Sequence, residues 1–131
     1  MTKITYPKYS DDYDPISVAW SYDESEVEID FYKPISAVFS ESMNKVVVEV
    51  FDDGVINFYD LNGILSNSFS IPELDGYKYR GINKNLQSKT GVSLLFYPVR
   101  KDVGNEWRDI EQYELVPVEE TLLGSYLGIY R

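Results

Sequence analysis

At 131 residues with 44% hydrophobic side chains, the chain is long enough to bury one core without a metal or disulfide staple and too apolar to stay disordered. One domain over 1–131 is therefore expected. It contains no cysteine and no histidine, which excludes a disulfide framework, thiolate metal sites, a cysteine nucleophile and the imidazole bases and ligands on which most hydrolytic and zinc chemistry depends. The net charge of −10 repels phosphates and disfavours nucleic acid as a direct ligand.

Carboxylates, Lys, Tyr, Ser and Thr remain for catalysis, and only hard cations suit as metals. The expectation is a non-enzymatic protein without a cofactor. The opening MTKITYPKYSDDYD has no apolar h-region, so it does not read as a secretory signal. No apolar run approaches the roughly 18–20 residues that span a bilayer. These features predict a soluble, cytoplasmic chain that avoids membranes.

In chain order, Ile16–Ser21 reads as a strand with Val18 and Trp20 on one face. Glu26–Tyr32 alternates acid and hydrophobe, placing Val27, Ile29 and Phe31 toward a core and Glu26, Glu28 and Asp30 away from it. Pro34 ends that run, and Ile35–Ser40 suits another short strand. From Lys45 to Pro72, strands over 45–52, 55–61 and 64–71 are separated by Asp53-Gly54 and Asn62-Gly63, the dipeptides that supply positive φ at hairpin turns. This stretch, with Phe58-Tyr59-Asp60-Leu61-Asn62-Gly63 at its centre, resembles a single blade of a β-propeller. A whole propeller is excluded by length and by the lack of a second copy.

Beyond Pro72, residues 73–76 read as a loop, Tyr77–Ile82 as a strand and 83–91 as a polar loop. Val92–Val99 is a strand whose Pro98 predicts that its end lies on an edge. Residues 105–115 fit either a helix begun at Asn105 or the start of a strand over 110–118 ended by Pro117; the strand is preferred. Thr121–Tyr130 closes the sheet. The fold class is mainly β: an antiparallel sandwich, barrel or open meander with at most one or two short helices.

Charge is segregated along the chain. From Tyr9 through Tyr32 there are eight acids, Asp11, Asp12, Asp14, Asp23, Glu24, Glu26, Glu28 and Asp30, and no base. From Gly76 through Lys101 there are six bases, Lys78, Arg80, Lys84, Lys89, Arg100 and Lys101, and no acid. Either the two segments neutralise each other, or the acidic face is merely solvated, or it is kept for a cationic partner. Acids on alternate strand positions lie ~7 Å apart, and each such pair repels by about 0.6 kcal/mol in water. A chain tolerates that repulsion when the field speeds capture of a basic partner. Tyr13, Trp20, Tyr22 and Tyr32 lie within the acid run, and rings beside carboxylates are the parts of an interface hot spot; Trp20 equally suits a core position. The candidate partner-binding set is Tyr22, Asp23, Glu24, Glu26, Glu28, Asp30, Tyr32, Asp11, Asp12 and Asp14.

Other motifs carry less. The glycines form no phosphate-binding pattern. Asp11-Asp12-Tyr13-Asp14 lacks the glycine and terminal glutamate of a calcium loop. Tyr77, Lys78, Tyr79, Arg80 and Lys84 alternate ring and base as a single-strand nucleic-acid groove does, with internal pairing as the competing explanation.

In size, charge and motif-free meander, the whole chain is similar to bacterial immunity proteins of contact-dependent and polymorphic toxin systems, and to antitoxins that plug a basic nuclease. No signature residue carries this resemblance, so no role transfers by position. It implies a protein-binding inhibitor whose acids occupy a toxin's phosphate-binding cleft. The alternative is a lipocalin-like small-molecule carrier, although an early Gly-x-Trp is missing; a third option is a subunit that assembles through strand edges, leaving the oligomeric state open.

Overall fold

The computed structural model describes residues 2–99, 110–118 and 121–130. They form three antiparallel sheets and a single turn of 3-10 helix, Phe51–Asp53. The chain is mainly β, as its patterning predicts, and none of the three sheets closes into a barrel. Among the described residues no helix is long and apolar enough to cross a membrane. The chain divides into two compact units, Met1–Ser70 and Ile71–Arg131.

The first unit begins with a hairpin, β1 (Ser17–Tyr22) and β2 (Ser25–Asp30), followed by a meander of β3 (Ile35–Ser40), β4 (Lys45–Val50), β5 (Val55–Asp60) and β6 (Leu65–Ser70) hydrogen-bonded in chain order. With β3 added, the blade-like segment has four strands, the number a propeller blade contains. The alternation works as expected. Val18 and Trp20 pair across the hairpin with Ile29 and Val27; Val18 and Trp20 join Ile35, Val46, Val48, Val50 and Tyr59 in one core cluster, with Val27, Ile29 and Phe31 packed against it. Val47, Ile56 and Phe58 are buried on the other face of the meander. Strand β4 stops two residues early because Phe51–Asp53 tightens into the 3-10 turn, closed by Gly54 at φ 64°.

Two contacts fix the hairpin on the meander. Trp20 is buried, and its indole Nε1 donates to the Leu61 carbonyl at 2.7 Å, a bond worth about 1 kcal/mol net. The Asn62-Gly63 turn lies against Val27: a Cβ on Gly63 would sit 2.7 Å from Val27 Cγ1, and its φ is +91°. Gly63→Ala therefore meets both a clash and a left-handed backbone, and is expected to destabilise by about 1–2 kcal/mol. Chemical denaturation checks this; an unchanged midpoint would mean the turn does not bear on the hairpin.

The second unit is another meander, β7 (Tyr77–Lys84), β8 (Val92–Pro98), β9 (Glu111–Val118) and β10 (Thr121–Ile129), in the order β10-β9-β8-β7. Residues 110–118 thus take the strand alternative; 105–109, including Trp107, lie outside the described residues, as do Arg100 and Lys101. Pro98 lies past the last β8–β9 pair, Phe96 with Glu111, and is paired on the β7 side with Tyr77, so the end of β8 lies on an edge toward β9, as proline predicts. Pro117 does not end its strand. It sits where β9 has no β8 partner and pairs irregularly with β10, a place a strand tolerates proline. The 85–91 loop is tied down by β9: Lys89 N donates to Glu114 Oε1 at 2.8 Å and Thr90 Oγ1 to the Leu115 carbonyl at 2.7 Å. One ring from each strand, Tyr79, Phe96, Tyr113 and Tyr126, makes an edge-to-face ladder across the sheet with centroid spacings of 5.5, 5.7 and 5.5 Å.

Candidate functional site

The candidate site is the β1–β2 hairpin with the loop that precedes it. The register pairs Ser17, Ala19 and Ser21 with Asp30, Glu28 and Glu26, so the three carboxylates share the face turned away from the core. Thr5 bridges Ala19 on the other edge of β1, and Lys8 N donates to Ser17 Oγ at 3.0 Å. That places the Lys8 ammonium 2.9 Å from Asp30 Oδ2 and 3.9 Å from Glu28 Oε2.

The acid row is thus partly compensated by a residue one position outside the base-free segment. The Lys8 hydrogen bond holds the Asp30 carboxyl below the usual range, and Asp30 in turn raises Lys8. By linkage, Asp30's contribution to stability is present above its unfolded pKa and fades as pH falls through the lowered folded one. Lys8's contribution is present below its unfolded pKa and fades as pH climbs through the raised one. Among the described residues, Asp11, Asp12, Asp14, Asp23, Glu24 and Glu26 make no ion pair.

The exposed rings concentrate in the same segment. Tyr13 is 86% and Tyr32 81% exposed, with Tyr9 and Tyr22 also exposed. Trp20 and Phe31 are the exceptions among the aromatics of the acid run, Trp20 being a core residue and Phe31 packing against the same core. The predicted set falls at two ends of the hairpin. Backbone bonds from Ile16 N to Lys8 O, Phe31 N to Ile16 O and Ile35 N to Pro15 O tie the base of the Ser10–Asp14 loop to the exit of β2, beside Tyr32. Tyr22, Asp23 and Glu24 form the opposite end, a strand length of roughly 20 Å away, and Glu26, Glu28 and Asp30 join the two.

Backbone conformation singles out the same residues. Among the described non-glycine residues, positive φ occurs at Tyr13 (65°), Asp23 (50°), Glu24 (63°), Tyr32 (58°) and Asn44 (53°). Asn44 is a residue type that accepts this region; for tyrosine it is an outlier. Asp23 and Glu24 fill a two-residue turn left-handed at both positions, where Asn-Gly is the inexpensive choice. Ser10 begins a turn in which Tyr13 N donates to Ser10 O at 2.9 Å and Ser10 N to Asp14 O at 2.8 Å, placing Tyr13 at the left-handed position that glycine usually takes. Sequence patterning anticipates the acids but gives no sign of this strain. Lys8 and Tyr9 flank the acid run closely enough to have been included by proximity alone.

Elsewhere the chemistry is less open. On β7, Tyr77 and Tyr79 are half-buried while Lys78 and Arg80 are exposed, so the ring–base alternation does not offer both groups on one face. The Tyr77 hydroxyl is hydrogen-bonded to the Glu111 carboxylate, which together with burial and the nearby negative charge pushes the phenol up to about 12. This stability contribution is present below the ordinary tyrosine range and is lost as pH rises toward 12. In a tyrosinate absorbance titration, Tyr77→Phe is expected to remove a step near pH 12; an unchanged curve would contradict that pairing. Among the described residues no three carboxylates converge as they would for a metal ion. A cavity of about 520 Å³ lined by Thr2, Lys3, Ser21, Phe39, Glu41 and Asn44 is in the size range of ligand sites, but its lining is largely polar, whereas such sites are mostly apolar.

No family model, characterised protein or solved structure matches the chain.

Proposed function

We propose that this chain is a protein-binding inhibitor of the immunity-protein or antitoxin kind, whose acidic hairpin occupies the cationic cleft of a nuclease-type toxin. One observation carries the reading: side chains that contribute little packing to their own fold are held in costly backbone conformations on one charged face. A left-handed non-glycine residue costs about 1–2 kcal/mol. Tyr13 and Tyr32 incur that cost with rings 86% and 81% exposed, and Asp23 and Glu24 incur it in a turn that Asn-Gly would make more cheaply. Strain of this sort persists where a surface has another use. Exposed rings give a cationic partner flat anchors, and unpaired carboxylates give it charge-assisted bonds to Arg and Lys.

The mechanism is steric and electrostatic. The field of Asp11, Asp12, Asp14, Asp23, Glu24 and Glu26 draws a basic surface in, and Lys8 with Glu28 and Asp30 forms a ready-made ion cluster that exchanges partners at contact. Tyr13, Tyr22 and Tyr32 pack on the rim, covering the cleft that a phosphodiester would enter. A pull-down at low salt tests this. The expected result is a one-to-one complex with a basic protein whose nuclease activity stops on binding. Recovery of a lipid or metabolite, with no basic protein, would favour the carrier alternative, for which the open sheets provide no barrel interior.

A further inference from the structure

The first unit contains four bases, Lys3, Lys8, Lys33 and Lys45. Lys8 pairs with Glu28 and Asp30, Lys33 with Asp53 and Lys45 with Asp60. Lys3 alone of the four makes no ion pair among the described residues, in a chain that carries 22 acids. It lines instead the polar cavity of about 520 Å³, together with Thr2, Ser21, Phe39, Glu41 and Asn44. Glu41 also makes no ion pair among the described residues. One cavity thus holds an ammonium and a carboxylate that are not bridged to each other.

Local structure places the two charges on different elements. Thr5 N donates to the Ala19 carbonyl and Ala19 N to the Thr5 carbonyl, both at 2.9 Å, which lays the N-terminal segment antiparallel beside β1. Continued by two residues, that register sets Lys3 opposite Ser21. The other side is the β3–β4 turn. Buried Ser40 accepts from Met43 N at 3.3 Å, and Asn44 N donates to the Glu41 carbonyl at 3.2 Å. With Asn44 at φ 53°, this turn presents Glu41 and Asn44 to the cavity. Phe39 is half-buried and packs against the core of the first unit, giving the lining its one ring.

We propose that this cavity binds a small zwitterion, a free amino acid or a dipeptide, with its carboxylate on Lys3 and its ammonium on Glu41. Charge selects the class. A simple anion meets Glu41 and the chain's net −10, and a simple cation meets Lys3; a molecule carrying both charges finds a partner for each. Thr2, Ser21 and Asn44 supply hydroxyl and amide groups for the remaining polar atoms, and Phe39 takes an apolar side chain. The volume lies within the range of small-molecule sites, and a polar lining that does not suit an apolar ligand suits this one. The site uses none of the hairpin residues assigned to the toxin, so the two readings stand or fall separately.

Isothermal titration of the whole chain with L-leucine and with glycyl-L-leucine tests the site and tells the two sources apart. At least one of them is expected to bind one-to-one. Acetylating the ammonium of the one that binds, or amidating its carboxylate, is expected to weaken it about tenfold, the loss of one charge-assisted bond. Lys3→Met should weaken the free zwitterion by a similar factor and leave the amidated form unchanged. Glu41→Gln should weaken the free zwitterion and leave the acetylated form unchanged. Both residues are exposed, and if either variant fails to fold, the blocked ligands on the unaltered chain decide. No binding of either zwitterion at millimolar concentration overturns the proposal. So do blocked forms that bind as tightly as the free one, and substitutions that weaken every form alike or none.

Discussion

Replacing Asp23, Glu24 and Glu26 together by lysine is expected to slow association with the proposed basic partner at least about tenfold at low salt, without loss of folding. All three are exposed and make no ion pair among the described residues, so their reversal strands no buried charge. The substitutions move the net charge by six units from −10, which would slow capture of a cation wherever they were made. A control with Glu41, Glu73 and Asp75 changed to lysine separates the two effects. These residues are also exposed, and the net change is identical, but none lies on the hairpin. The hairpin variant should be several-fold slower than the control in stopped-flow mixing; equal rates would assign the effect to overall charge.

Changing Tyr13 and Tyr32 to glycine should move stability and binding in opposite directions. Each substitution relieves a left-handed tyrosine at little cost in packing, so each is expected to stabilise the fold by about 1 kcal/mol after allowing for the greater freedom of glycine in the unfolded chain. Loss of two exposed ring anchors is expected to weaken the complex by about 2 kcal/mol or more, roughly thirtyfold. Denaturation and equilibrium titration on the same variant read both. Tightened or unchanged binding would remove the rings from the interface. Lower stability would mean the rings serve the fold despite their exposure.

The sequence made the sheets legible where period two was clean. Val18, Trp20, Val27 and Ile29 face the core as their alternation requires, and Asn62-Gly63 turns where the dipeptide predicts. It was less legible where tertiary contacts decide. Pro117 lies inside β9 because neighbouring pairing is irregular there, and Lys84 stays in β7 opposite Val92 although its surroundings are polar. At the candidate site the acids were readable as a row, since strand alternation alone puts Glu26, Glu28 and Asp30 on one face. The counter-charge from Lys8 was not, because it depends on the N-terminal segment crossing β1. Nor was the strain at Tyr13 and Tyr32, since no local pattern predicts a tyrosine at a position glycine normally takes.

The most direct test is how the association rate of the unaltered chain with the proposed basic partner depends on ionic strength. If unpaired hairpin carboxylates steer capture, the rate should fall steeply as salt shortens the Debye length from ~30 Å at 0.01 M toward ~8 Å at physiological strength. A rate that stays flat across that range would contradict the proposed role of the acidic face.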